Sequence, residues 1–388
     1  MKLSVIIVSY NVRHYLAQCL DAVGRALKDM DAEVIVIDNH SHDGTVDILQ
    51  RQFPQVTVIS SQHNLGFARA NNKAIREAQG EYVLLLNPDT IVGENVLREA
   101  VAFMDSHPKA GGAGVRMLRT DGTDARESRR GVPTLMTAFY KMTGLCDRYP
   151  QSHRFGKYYM GYLPWGSSVQ IEIISGAFCL LRRQALDRVG LLDEDFFMYG
   201  EDIDLSYRLL KGGWQNWYLP LRILHFKGES TQKSSFRYVH VFYEAMLIFI
   251  RKHYGHLSWL VTIPVQCAIY LKAAMTLLTI NVDKAQRMLG FSGGHSTEPR
   301  YVCCVAEDHR AACQRLTKAF GLSATFVSKA DDILTEGKEA AYVVFDTVAF
   351  SYSDILCFFA DHRDRAWQMA FYAPDAQRIL TGDDVFQI

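Results

Sequence analysis

Residues 3–8, LSVIIV, are an apolar, β-branched run. The SYNVRHYLAQCLDAVGRAL that continues from it brings back Leu16, Cys19, Leu20 and Val23 at helical spacing, so the chain reads as strand, loop, helix. The rhythm repeats with EVIVID (33–38) before SHDGTVDILQRQF, VTVIS (56–60) before GFARANNKAIREAQ, and then YVLLLN (82–87). Strands that are apolar on both faces and alternate with helices predict an α/β, doubly wound, mostly parallel sheet covered on both sides. Ligands bind such sheets beyond the carboxyl ends of the strands. Ser9, Tyr10, Asn11, Asp38, the segment from His63 to Arg69, and Asn87 to Asp89 all follow predicted strand ends.

Farther along, residues 119–169 are rich in Arg, Gly, Tyr and Pro with little periodicity, which predicts long loops or a mobile acceptor-side segment. VQIEIISGAFCLLRRQALDRVG (169–190) predicts a strand, a small-residue turn, a second strand and a helix. LLDEDFFMYGEDIDLSYRLLKGG (191–213) is an acidic loop opening a helix that ends on Gly212 and Gly213. Apolar and aromatic residues dominate 237–280, and the run 257–280 has the length of a bilayer span. Pro264, Gln266 and Lys272 interrupt that run, and Ser258, Thr262 and Gln266 recur every fourth residue. An interfacial or re-entrant helix, a span and a soluble packing helix all stay open, with Arg251, Lys252, His253 and His256 placed to meet an anionic membrane surface. GFSGGHSTEPR (290–300) is a linker, and RYVCCVAE, SATFVS, AAYVVFDTVAF and WQMAFYAP predict four strands of a second, small α/β unit.

A length of 388 residues predicts two or three units. The formal net charge of +0 argues against a nucleic-acid partner, because such domains carry a basic excess. Eight cysteines without a CxxC pair, and an amino terminus that starts on a strand pattern, point to a reducing cytoplasm.

Several constellations could do chemistry. Asp38, with no helix of its own to cap, could accept bonds from a nucleobase edge or ribose, whereas Asp43 reads more simply as a helix cap. Gly66 would let the backbone approach a ligand closely, Arg69 offers a planar fork for phosphate or carboxylate, and Asn72 sits on the same helix. Asp89 could ligate a hard divalent ion, although NPD is also ordinary turn chemistry. The densest acidic stretch comprises Asp193, Glu194, Asp195, Glu201, Asp202 and Asp204, interleaved with Phe196, Phe197 and Tyr199. That combination suits a general base better than a purely solvated loop. His225 stands at another strand end.

Together, SVIIVSYN, VIVIDNHSHDGT, NLGFARANN, LLLNPDT, SGAFCLLRR, FFMYGEDIDLSYRL and HFKGES resemble the family 2 glycosyltransferases of GT-A fold, in the branch related to bacterial rhamnosyltransferases. The resemblance covers residues 1 to about 240 and implies a transferase domain at 1–235. An apolar helical, membrane-associating segment at 236–289 and a small α/β unit at 298–388 would follow. The resemblance implies that Ser9, Tyr10, Asn11 and Asp38 read the nucleotide, and that Gly66, Arg69, Asn72 and Asn87 line the substrate site. Gly176 and Ala177 would leave room for donor sugar or acceptor. Asp89 and His225 would hold Mg2+ or Mn2+, and Asp202, beside Glu201, would deprotonate the acceptor hydroxyl. Asn87 stands where the family's fullest pattern has the first carboxylate of the D x D motif, so metal binding is expected only with donor present.

The implied reaction is inverting transfer of a sugar from a nucleoside-diphosphate donor, dTDP-rhamnose among the candidates. The acceptor would be a glycan or lipid-linked molecule at the inner face of the cell membrane. A catalytically weak nucleotide-sugar scaffold is the rival from another class. A nucleotidyltransferase, the third reading, has no natural place for GEDIDLSYRL and the histidine downstream.

Overall fold

The computed structural model describes residues 1–226, 236–255, 299–337 and 340–388. Its amino-terminal part alternates strand and helix: β1 (Leu3–Ser9), α1 (Arg13–Ala26), β2 (Ala32–Asp38), α2 (Thr45–Gln52), β3 (Thr57–Ser60), α3 (Gly66–Glu77) and β4 (Tyr82–Leu86). These strands pair in parallel in the order β3-β2-β1-β4. Every residue of β1 and β4 is buried, as expected of strands covered on both faces. The register places Ser9 opposite Asp38 and Asp38 opposite Ser60, so the polar strand ends form one row.

Beyond β4 the sheet becomes mixed. After the Asn87–Asp89 break come β5 (Thr90–Val92), α4 (Val96–Ser106), β6 (Ala110–Leu118), α5 (Leu135–Met142), α6 (Leu145–Arg148), β7 (Val169–Ile171), β8 (Phe178–Arg182), α7 (Arg183–Val189), α8 (Glu201–Lys211) and β9 (Gln215–His225). The order continues β4-β8-β6-β9-β5, with β7 on β9. Only β6 and β9 run parallel here; β8 and β5 join antiparallel. One face of the sheet buries Val5, Ile7, Val36 and Leu84 against α1 and α4. The alternate residues Ile6, Val8, Ile35 and Leu85 turn to α3, α7 and α8.

The described part of the apolar region is α9 (Phe236–Tyr254). Its Ala245, Ile248 and Phe249 pack with Val132, Ile173 and Phe196. Lys252 pairs with Asp193 and Asp195, and His253 with Asp204, so these two members of the expected membrane-facing basic cluster are turned inward against the acidic loop. The run 257–280 lies outside the described residues. Among the described residues, no helix is long and apolar enough to cross a membrane.

The carboxy-terminal unit comprises β10 (Arg300–Cys304), α10 (Glu307–Ala319), β11 (Ser323–Val327), α11 (Ala330–Glu336), β12 (Tyr342–Asp346), α12 (Tyr352–Asp361), β13 (Gln368–Ala373), β14 (Arg378–Leu380) and β15 (Val385–Gln387). The four expected strands pair in parallel as β11-β10-β12-β13. Two further antiparallel strands, β14 and β15, close the edge; at three residues each they are too short to show a period in the sequence.

This unit shares a core with the first. Tyr352, Ile355, Phe359, Phe371 and Leu380 belong to the cluster that holds Leu16, Cys19, Ile91 and Leu97. Polar bonds line the seam. The Glu94 carboxylate accepts the Tyr352 and Ser353 amides at 2.7 and 2.9 Å, capping α12. Tyr352 also donates to Asp21, and Arg378 donates to Gln18.

Candidate active site

Polar side chains follow the carboxyl ends of the adjacent strands β1, β2 and β4. Ser9 and Asp38 are buried, and among the described residues Ser9 Oγ and Asp38 Oδ1 have no hydrogen-bond partner. Asp38 Oδ2 accepts the Ser41 amide at 3.3 Å. Buried polar atoms are normally satisfied, so this pair keeps acceptor and hydroxyl capacity for a ligand. Tyr10 is exposed beside it. Asn11 takes a left-handed backbone (φ 53°) that lets its side chain accept the His42 amide at 2.8 Å, tying the β1 loop to the β2 loop.

The break at Asn87 is where the fold gathers its metal-type donors. β5 runs antiparallel to β9 with Thr90 opposite His225, and the Phe226 amide donates to the Asp89 carbonyl at 3.0 Å. That ladder closes a gap of more than 130 residues in sequence. His225 Nε2 lies 3.4 Å from Asp89 Oδ1 and 3.3 Å from the Asn87 side-chain nitrogen, and the Asp89 side chain is only 2% exposed. A carboxylate oxygen, an imidazole nitrogen and a side-chain amide are donors that suit Mg2+ or Mn2+ with positions left for substrate oxygens. Among the described residues, no group of three or more His, Cys, Asp or Glu side chains could hold an ion.

Asp202 is the second residue of α8. Its Oδ2 accepts the Gly176 amide at 3.2 Å and lies 3.5 Å from Arg130 Nη1, while Oδ1 accepts the Ile203 amide; the side chain is 14% exposed. The Ala177 carbonyl accepts the Asn87 amide at 3.0 Å, so one small-residue loop touches both the Asp202 carboxylate and the strand end that carries Asp89. A Cβ on Gly176 would meet Asp202 Cβ at 3.5 Å, an ordinary contact, so the bare backbone there leaves open space rather than relieving a clash. Glu201 is 6% exposed, and its Oε2 has no partner among the described residues. Burial, with the Asp202 charge adding to it, pushes the Glu201 carboxyl up to about 8.

Residues 4–190 match the family model described as glycosyl transferase family 2. Those residues, just under half of the chain, form a family 2 glycosyltransferase domain. It is similar to the N-acetylglucosaminyl-diphospho-decaprenol L-rhamnosyltransferase of Mycobacterium tuberculosis, at 29% identity over 66% of this chain and 86% of that protein. It is also similar to the poly(ribitol-phosphate) β-N-acetylglucosaminyltransferase TarS of Staphylococcus aureus, at 29% identity over 35% of this chain and 23% of that one. The crystal structure of TarS residues 1–349 matches with a TM-score of 0.42 at 21% identity over 64% of each chain. The mannosyltransferase PcManGT from Pyrobaculum calidifontis, solved with GDP-Man and Mn2+, matches with a TM-score of 0.44 at 18% identity over 76% of each chain. The fold itself is α/β, with a mixed sheet that is parallel through β3-β2-β1-β4 and antiparallel where β8 joins β4.

Within this domain, three residues expected at the substrate also meet the protein's own loops. Gly66 (φ 77°) is needed because a Cβ would stand 2.5 Å from the Phe197 carbonyl; the close approach is by the protein's own loop. Asn72 spends its amide on Leu192 and Glu194, clamping α3 to the acidic loop. Arg69 is 60% exposed and lies 3.8 Å from Glu194. The acidic stretch is likewise divided: Asp193 and Asp195 pair with Lys252, and Asp204 pairs with Arg208 and His253. Asp202 meets the Gly176 loop. Arg130 was missed by sequence reasoning because its segment lacks periodicity; the concentration of Arg and Tyr in 119–169 was the available signal.

Proposed function

We propose that the protein is an inverting transferase of cell-surface glycan synthesis. It would move a sugar from a nucleoside-diphosphate donor to a hydroxyl of a glycan or lipid-linked acceptor. The observation that carries this reading is the backbone link from Asn87 through Ala177 and Gly176 to Asp202, which holds a carboxylate and the Asp89–His225 donor pair on opposite sides of one small-residue loop. The L-rhamnosyl relative supports a rhamnosyl donor and an acceptor carried on a lipid diphosphate, and we keep dTDP-rhamnose as the first donor to test.

In the proposed reaction Asp202 takes the proton of the acceptor hydroxyl as its oxygen bonds to the sugar's anomeric carbon. The bond from that carbon to the diphosphate oxygen breaks, and its electron pair leaves with the nucleoside diphosphate. Burial disfavours the charged form of Glu201, which leaves Asp202 as the base. Asp38 and Ser9 hold the nucleoside, and Gly176 and Ala177 leave room for the sugar. Asp89 and His225 would hold Mg2+ or Mn2+, which when bound supplies positive charge to the leaving diphosphate.

Nucleoside diphosphate release from a panel of nucleotide sugars tests the proposal. Asp202→Asn is expected to lower turnover by roughly 10²- to 10⁴-fold while nucleotide binding persists. Normal turnover by that variant would sink the assignment. Titration calorimetry should show Mg2+ or Mn2+ binding in the presence of the donor nucleotide and little without it, because Asp89 and His225 leave several ligand positions to substrate. Tight binding to the free protein would contradict the expectation.

A further inference from the structure

Beside Asp202, the segment of least sequence periodicity brings together side chains that the reaction above does not use. Arg130 is only 16% exposed. Lys141, on α5, lies with Nζ 4.0 Å from the centre of the buried Tyr158 ring and 5.2 Å from that of Tyr159. Lys141 pairs with no carboxylate among the described residues. The neighbouring Lys157 is matched by Glu172 at 3.0 Å, and burial disfavours the charged form of Glu201, so Asp202 is the carboxylate placed to balance Arg130 and Lys141. Burial pushes the Tyr158 phenol up, but the Arg130 and Lys141 charges outweigh it and leave the phenol below its ordinary value. A half-buried excess of positive charge costs free energy unless an anion shares the site.

We propose that Arg130, Lys141 and Tyr158 form an anion subsite for a phosphate or diphosphate group borne by the acceptor, next to the hydroxyl that Asp202 deprotonates. This rests on the transferase reading above. Asp202 Oδ2 meets Arg130 and the Gly176 amide together, so an anion on Arg130 lies on the acceptor side of the base, with the Asp89–His225 pair across the Gly176–Ala177 loop. A guanidinium and an ammonium donate up to eight N–H groups, and the Asp202 pairing uses few of them. The phenol of Tyr158 supplies one further donor.

Inorganic diphosphate titrated into the full chain in EDTA tests the subsite apart from any sugar chemistry. Binding is expected for the wild type, to weaken roughly tenfold to a hundredfold in Lys141→Ala and Arg130→Gln, and to recover in Lys141→Arg. It should persist in Asp89→Asn. No binding to the wild type, or binding lost in Asp89→Asn and kept in Lys141→Ala, overturns the proposal, the second result assigning the anion to the donor side. Failure of every nucleotide sugar to release its diphosphate would instead refute the transferase reading. Two acceptor arms then separate sources: N-acetylglucosamine on a short prenyl diphosphate, and a ribitol phosphodiester oligomer. The Lys141→Ala loss should appear as a raised KM for whichever is used. The same loss with a phosphate-free alkyl glycoside overturns the subsite.

Discussion

At the scale of single residues, adjacent positions 201 and 202 do different work because burial separates them. Asp202 keeps three polar contacts and some exposure, whereas Glu201 is buried with one oxygen that has no partner among the described residues. With its carboxyl raised to about 8, against about 4.3 in the unfolded chain, the folded protein holds one proton more than the unfolded chain between those values. Stability should therefore fall as pH rises through that window. Glu201→Gln should flatten this part of the stability curve, read as melting temperature from pH 5 to 9. An unchanged slope would show that Glu201 titrates normally. The sequence marked the pair as chemical because carboxylates stood among aromatics. It could not say which one is buried, since that depends on which distant segments pack against the start of α8.

Among elements, the β5–β9 ladder and α12 show opposite relations to sequence. β5 is three residues long and carries no period, yet its pairing with β9 sets His225 against Asp89. Its function was legible only through motif spacing. The N-terminus of α12 depends on Glu94, which accepts two of its amides and the Ser353 hydroxyl. Burial pushes the Glu94 carboxyl up, but these bonds outweigh it and leave the carboxyl below its ordinary value. A lowered carboxyl contributes stability that is present above the unfolded value near 4.3 and is lost as pH falls through the lower folded value. Glu94→Ala should cost about 1–3 kcal/mol at neutral pH, because buried amides are left unpaired. Denaturant titration measures this, and a loss that persists undiminished at pH 3 would count against the carboxylate as its source.

For the whole molecule, the decisive feature is that both α/β units bury apolar surface in one cluster. A chain ended after residue 255 would lose Tyr352, Phe359 and Phe371 from the cluster that holds Leu16, Ile91 and Leu97. It should be insoluble or melt well below the full chain, and a truncated protein as stable as the full chain would show the seam to be dispensable. The amino-acid pattern by itself determined the strand–helix alternation, the parallel half of the sheet, the row of polar strand ends and the second α/β unit, because period and turn chemistry are local. Only the tertiary structure decided that Gly66 yields to Phe197, that Asn72 and most of the acidic stretch are braces, and that Arg130 stands beside Asp202. Each of these depends on which distant surface comes to lie against the residue, and residues 119–169 carry no period from which that could be read.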